Sequence, residues 1–334
     1  MPKLTQSYTC GASSTPIIYE TIGNYFERVV ARHPDTDAVV ACHQNVRWSY
    51  AELNRRIDDL ATGLLKLGVE AGDRVGVWGP NTAEWVLTQM ATAKIGAILV
   101  NINPAYRLFE LEYTLNKAGC KAIVSDEAFK SSKYLEMLYA LAPELNSCAP
   151  GELRSEKLPV LETVIRMGAA ASPGMFNFDD VTAMGGDAER KRLDELRSEL
   201  RPDDAINIQF TSGTTGSPKG ATLTHCNILN NGYLIGAGMR LSPTDRLCMP
   251  VPLYHCFGMV LGNLACFSHG ATVVYPSKVF DPESTLRAVQ EERCTALHGV
   301  PTMFVTELSH PDFDEFDLRT LRTGVMAGAP CPVD

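Results

Sequence analysis

Ala205-Ile206-Asn207-Ile208-Gln209-Phe210-Thr211-Ser212-Gly213-Thr214-Thr215-Gly216-Ser217-Pro218-Lys219-Gly220 joins two kinds of sequence. Up to Phe210, apolar side chains alternate with polar ones, as in a β-strand with one buried face. The ten residues from Thr211 carry five hydroxyl side chains, three glycines, one proline and one lysine. They include no acidic and no large apolar residue, so they cannot form a core element. Such a loop leaving a strand suits phosphate. Glycine lets backbone N–H groups approach the oxygens, Ser and Thr add donors, and Lys adds charge. Downstream, Ala221-Thr222-Leu223 leads to Thr224, an N-cap for a helix through Asn227, Ile228 and Leu229. The loop is therefore expected between a strand and a helix, where a flexible Gly/Ser linker would be out of place. Walker A is excluded, because Gly213 is followed at the Gly-Lys spacing by Pro218-Lys219. The dinucleotide fingerprint is excluded too, because Gly236-Ala237-Gly238 continues to Leu241 where a glycine is required.

The 334 residues are enough for two or three domains, and 45% apolar content makes the chain globular. A net charge of −9 argues against a nucleic-acid partner. It leaves an ATP site open, because distant charges are screened within about 8 Å at physiological salt. No pair among the ten cysteines has C-x-x-C spacing, and free thiols in a reducing compartment are expected. The seven histidines show no metal-ligand spacing. The longest apolar run, Met90 to Val100, is too short to span a membrane and contains Lys94. Residues 1–19 lack both a signal h-region and the arginines of a transit peptide. A cytoplasmic location is expected, with the mitochondrial matrix as the alternative.

Along the chain, Thr21 caps a helix whose apolar stripe is Ile22, Tyr25, Phe26, Val29 and Val30, stopped by Pro34. Ala38–Val40 and Val46–Trp48 read as a hairpin, and Ser49 to Glu52 as a capping box. Strands at 74–78, 97–101 and 121–124 then alternate with helices at about 82–94, 109–118 and 134–141, the rhythm of a parallel sheet. Residues 143–204 are rich in Pro, Gly and charge and end in a solvated helix at about 188–200. The rhythm resumes with strands at 205–210, 246–251, 271–275, 295–300 and 323–327, and with a helix opened by Asp281-Pro282. The expected fold class is α/β, with two doubly wound βα subdomains. The first, residues 1–200, includes the N-terminal helix and hairpin. The second, residues 201–334, carries the phosphate loop.

Three further strand ends are chemical candidates. Pro252-Leu253-Tyr254-His255-Cys256-Phe257-Gly258 places a histidine just past a strand, where ligands bind in parallel sheets. Gly299-Val300-Pro301-Thr302-Met303-Phe304 and Ala327-Gly328-Ala329-Pro330 offer small residues that admit a flat or extended ligand. Read one at a time, His255 is as well explained by packing, and the glycine segments by ordinary turns.

Together with Asn101 to Tyr106, these segments resemble the adenylate-forming (AMP-binding) superfamily, which includes acyl-CoA synthetases, luciferases and peptide-synthetase adenylation domains. The loop Thr211–Gly220 matches that family's phosphate-loop signature at every position, and the resemblance runs from about Ser7 to the end. It is most like the medium-chain acyl-CoA synthetase branch, the acyl-CoA synthetase family member two type. The resemblance implies ATP, Mg²⁺ and CoA as cofactor and co-substrates, a fatty acid as substrate, and a homodimer as one admissible assembly. It implies catalytic roles for His255, Lys219 and Thr214. ATP would be held by Thr211, Ser212, Gly213, Thr214, Thr215, Gly216, Ser217, Pro218 and Lys219, with Gly328, Ala329 and Pro330 at adenine. Tyr254, Phe257, Met259, Gly299 and Met303 are expected to line the acyl pocket.

The sequence stops at Asp334, whereas members of that family continue. The segments that carry the family's magnesium-binding Glu, ribose-binding Asp and adenylation Lys have no counterpart here, so no metal ligand is assigned. The chain is expected to be an N-terminal portion, truncated before the small C-terminal domain and inactive alone. Two other readings stay open: an adenylation domain for an aryl or amino acid, and a truncated, non-catalytic nucleotide-binding protein. No acidic residue in Tyr254–Phe257 would pair with a substrate amine, which favours an uncharged acyl chain.

Overall fold

The computed structural model describes residues 15–211 and 218–331. The strands are β1 (Asp37–Ala41), β2 (Val46–Ser49), β3 (Arg74–Trp78), β4 (Ile98–Asn101), β5 (Cys120–Ser125), β6 (Ala128–Phe129), β7 (Ser132–Lys133), β8 (Thr163–Arg166), β9 (Phe176–Asn177), β10 (Ala205–Thr211), β11 (Lys219–Thr224), β12 (Arg246–Cys248), β13 (Thr272–Tyr275), β14 (Ala296–Gly299) and β15 (Thr323–Met326). Apart from the antiparallel pair β6–β7, they build two sheets, one seven-stranded, ordered β11-β10-β4-β3-β5-β8-β9, and one six-stranded, ordered β15-β14-β12-β13-β1-β2. Each is parallel except for one antiparallel strand at an edge, β11 in the first and β2 in the second.

Strand alternation sorts the side chains into layers. Val75, Val77, Leu99, Val124 and Ile165 face a core shared with Val39, Leu247 and Val273 of the other sheet. The opposite faces, with Val100, Ile123 and Val164 in one sheet and Val40, Cys248 and Val274 in the other, pack in separate cores. The shared core holds the helices Ile22–Arg32, Tyr50–Lys66, Ala83–Ile95 and His225–Gly238. Ala83–Ile95 is buried along nearly its whole circumference, as expected for a helix between two sheets.

Several local expectations hold. Thr21, Thr224 and Asp281 cap their helices with side-chain oxygens, and Pro282 takes the first helical position. Two expectations fail. The division at residue 201 does not follow the sheets. The hairpin β1–β2 pairs through β1 with β13, while β10 and β11 extend the sheet begun at β3. Pairing partners far apart in sequence decide sheet membership, and local periodicity does not record them. The segment expected to run from the phosphate loop into a helix first forms β11, with Lys219 opposite Thr211 in an antiparallel register. Gly220-Ala221-Thr222 has too few large side chains to announce a strand, and exposed edge strands need few. Strands β8 and β9 lie within the Pro- and Gly-rich 143–204 segment.

Lys94 ties the shared layer together. Its side chain is 3% exposed, and its Nζ contacts Glu27 at 2.7 Å, Asn54 at 2.8 Å and Asp58 at 2.6 Å. Burial pushes the Asp58 carboxyl upward, and Lys94 opposes that shift. Lys94→Ala is expected to cost about 3–5 kcal/mol, because it leaves the Asp58 carboxylate without its ion-pair partner, while Glu27 keeps Arg197 at 2.8 Å. A urea unfolding midpoint unchanged from the parent would contradict this reading of the cluster.

Candidate active site

In each sheet the chain reverses its direction of winding. In the seven-stranded sheet β4 lies on one side of β3 and β5 on the other. In the six-stranded sheet β13 and β14 flank β12 in the same way. Loops leaving the carboxyl ends of strands at such points splay apart and leave a crevice. Here both crevices open onto one cavity of about 290 Å³. Its walls come from Gly79-Pro80-Asn81 after β3, Pro104 after β4, Phe129 and Lys130 after β5, Pro250, Pro252 and Tyr254 after β12, Lys278 to Phe280 after β13, and Met303 after β14. No acidic side chain lines it, and Lys278 is paired with Asp126 at 3.3 Å.

The loop after β12 is held in place by amides from the other sheet. Asn81 Nδ2 donates to the Val251 carbonyl at 3.0 Å, and Asn81 Oδ1 accepts from the Leu253 N–H at 2.8 Å. Asn101 Nδ2 donates to the Tyr254 carbonyl at 2.8 Å. Gly258 closes the turn. A Cβ there would sit 2.3 Å from the Pro252 carbonyl oxygen, so only glycine fits.

His255 caps the helical turn that follows, its Nδ1 accepting from the Phe257 N–H at 3.1 Å. That bond reserves the Nδ1 lone pair and leaves the neutral ring's proton on Nε2. The side chain is exposed, and Nε2 has no partner among the described residues. Partial desolvation lowers its pKa, which favours the neutral form. The loop thus presents an uncharged N–H donor next to Tyr254, which lines the cavity.

Beside it, β14 and β15 run in parallel with Gly299 opposite Met326. The turn after β15 has Gly328 at φ +89°, a left-handed conformation that a side chain would strain, with Val300 Cγ1 3.2 Å from the Cβ position. On the far side, Lys219 begins β11 as an exposed residue that forms no ion pair with any described residue. Tyr113 Oη donates to the Pro218 carbonyl at 3.2 Å and fixes the return of the loop.

The sequence matches the family described as AMP-binding enzyme over residues 26–334. The chain belongs to that family. It is 46% identical to the mitochondrial medium-chain acyl-CoA ligase ACSF2 of Danio rerio over 334 residues, covering 99% of this chain and 55% of that protein. It is 45% identical to the human ACSF2 over 98% of this chain and 54% of that protein. It is also 45% identical to the putative acyl-CoA synthetase YngI of Bacillus subtilis over 95% of this chain and 57% of that one. The chain therefore spans about half the length of the curated relatives it matches. In structure it resembles the anthranilate CoA ligase AuaEII bound to anthranoyl-AMP, at a TM-score of 0.80 and 23% identity, covering 97% of this chain and 57% of that one. The N-terminal domain of FACL13 from Mycobacterium tuberculosis follows at 0.77 and 25% identity, with 94% and 71% covered. The α/β architecture is that of the large N-terminal domain in these enzymes.

Against that family frame, Tyr254 and Met303 line the cavity. Phe257 and Met259 do not. They are buried beneath the loop, Phe257 against the His298 ring at 5.3 Å between centroids, and Met259 with its sulfur 3.2 Å from Asn101 Nδ2. Gly299 sits behind Phe304, whose ring carbons lie 2.9 Å from its Cβ position. Ser212, Gly213, Thr214, Thr215, Gly216 and Ser217 lie outside the described residues. The sequence reading missed Asn81, Asn207, Gln209, Lys278 and Phe280. Asn207 and Gln209 had a legible signal, since amides in a buried strand need partners.

His298 on β14 is fully buried under the loop. Its Nδ1 accepts from the Val325 N–H at 3.2 Å, and its Nε2 donates to the Leu261 carbonyl at 3.1 Å. Burial pushes its pKa down to about 4, and does the same to His225 beside Ile22. Both bind protons far better once unfolded, near the ordinary histidine pKa of about 6.5. Stability should be fully present above about pH 6.5 and fall as pH drops toward 4, by about 1.4 kcal/mol per pH unit for each histidine. Urea midpoints across this range check the slope, and His298→Asn should remove about half of it. A flat profile would contradict the assignment.

Proposed function

We propose that the protein carrying this chain activates a medium-chain fatty acid and transfers it to CoA. In the first step a carboxylate oxygen attacks the α-phosphorus of ATP, forming acyl-AMP and releasing pyrophosphate. In the second, the CoA sulfur attacks the acyl carbonyl carbon and AMP leaves. The supporting observation is the cavity where loops from the switch points of both sheets meet, walled by Asn81, Pro104, Tyr254 and Met303, with His255 next to Tyr254 in the chain. The similarity to medium-chain acyl-CoA ligases favours this substrate class. The cavity's lack of acidic lining disfavours an amino-acid substrate, whose ammonium group would need a carboxylate.

The chemistry must bring two anions together, so donors aimed at the crowded oxygens carry most of the catalysis. The His255 Nε2–H would hydrogen-bond an oxygen of the acyl carboxylate or α-phosphate. Lys219, together with the loop's N–H and hydroxyl groups including Thr214, would hold the leaving pyrophosphate. The turn at Gly328, Ala329 and Pro330 would contact the adenine. Tyr254 and Met303 would border the acyl chain. Mg²⁺ would arrive on the ATP phosphates. No group of three or more His, Cys, Asp or Glu converges among the described residues. Cys120, Cys248, Cys266 and Cys294 are buried free thiols, which suits a reducing cytoplasm or mitochondrial matrix. No described helix is long and apolar enough to cross a membrane.

ATP–pyrophosphate exchange by the full gene product, measured over carboxylic acids of rising chain length, tests the proposal. Exchange dependent on a medium-chain fatty acid is expected, and exchange driven only by aryl or amino acids would refute it. Lys219→Ala should raise the barrier at limiting ATP by about 1.5–3 kcal/mol, one charge-assisted contact. His255→Ala should slow acyl-AMP formation and spare thioester formation from supplied acyl-AMP. Equal loss in both steps would reduce His255 to a packing role.

A further inference from the structure

On β10, Asn207, Gln209 and Thr211 share one face, because side chains two apart point the same way. Thr211 opens the phosphate loop. The other two join a chain of amides that crosses to the His255 loop. Gln209 Nε2 donates to Asn207 Oδ1 at 2.9 Å, and Asn207 Nδ2 donates to Asn101 Oδ1 at 2.8 Å. Asn101 Nδ2 donates to the carbonyl of Tyr254, the residue before His255. Met259 Sδ, on the far side of His255, lies 3.0 Å from Gln209 Nε2 and 3.2 Å from Asn101 Nδ2. The loop is thereby gripped on both flanks of the histidine. The register supports the chain as well, since β10 pairs with β4 with Gln209 opposite Asn101.

Directionality leaves little freedom. Each amide nitrogen is spent on the next oxygen, so flipping one amide would set donor against donor and acceptor against acceptor. Asn207 Nδ2 is also committed to the Leu99 carbonyl at 2.9 Å, which anchors the middle of the chain to β4. Nothing in this arrangement touches bulk solvent at Asn101 or Asn207, which are 3% and 1% exposed.

We propose that Asn101 is a positioning residue that sets His255 relative to the phosphate-loop strand through the Gln209–Asn207–Asn101–Tyr254 amide chain. This rests on the proposed acyl-adenylate chemistry for its kinetic consequence, although not for its structural one. A ligand near both loops would meet one prearranged geometry, and misplacement by about 1 Å can cost about a hundredfold in rate.

Two arms in the full gene product test this. In a double-mutant cycle on acyl-AMP formation, Asn101→Ala should lower the rate about tenfold or more in the parent and less than about twofold in a His255→Ala background. Additive effects would overturn the proposal, since a general structural role would not depend on His255. Asn101→Asp keeps size and the acceptor for Asn207 but loses the donor to Tyr254. It should give the same non-additivity together with a lowered melting temperature, because the Tyr254 carbonyl is left facing a buried carboxyl without a donor. The second arm needs no activity. Long-range ¹H–¹⁵N spectra should show His255 as the Nε2–H tautomer in the parent and as a mixture in Asn101→Asp. An unchanged tautomer would overturn the proposal. A parent that forms no acyl-AMP would refute the function above, and the tautomer measurement would still decide the role of Asn101.

Discussion

A buried backbone amide must find a partner, and the loop from Pro250 to Tyr254 finds its partners on the other sheet. Parallel strands end in loops that leave their own ladder, so the carbonyl of Val251, the N–H of Leu253 and the carbonyl of Tyr254 have no strand to pair with. Asn81 and Asn101, each just past or at the end of a strand in the seven-stranded sheet, supply the missing donors and acceptor. Losing one of these amides would leave a buried group unsatisfied, at about 1–3 kcal/mol each. The two sheets are thus held in register at the place where their strand ends face one another.

From that constraint the rest follows. The helix Ala83–Ile95 lies between the sheets and extends the same bonding, with Gln89 Nε2 on the Met259 carbonyl at 3.1 Å and Asn263 Nδ2 on Gln89 Oε1 at 2.8 Å. Lys94 at its far end gathers carboxylates from two neighbouring helices. This helix layer joins the segment after β12 to the space between the sheets through side-chain amides. Sites on well-supported elements keep their geometry better than sites on free loops.

Much of this was legible in the sequence. The caps at Thr21, Thr224 and Asp281 could be read because capping is a local bond between a side chain and the backbone just after it. Strand β3 and the helix Tyr134–Leu141 were read from periodicity alone. The motif around His255 and the turn at Gly328 stood out because glycine, proline and histidine cluster at strand ends. What escaped was non-local. Strand β1 pairs with β13 across more than two hundred residues, and β10 leaves the expected second unit for the first sheet. The lining of the cavity was half legible. Tyr254 and Met303 reach the cavity, but Phe257 and Met259, on the turn below, face inward. Helical phase after His255 decides which side chain looks up, and a three-residue turn, Cys256–Gly258, is too short for sequence periodicity to fix that phase.

Hydrogen–deuterium exchange with and without a non-hydrolysable acyl-adenylate analogue tests most directly whether strand ends of both sheets form one site for an acyl adenylate. The account predicts simultaneous protection of residues 207–220, 251–259 and 326–330. Protection confined to the loops of one sheet, or none at saturating analogue, would contradict it.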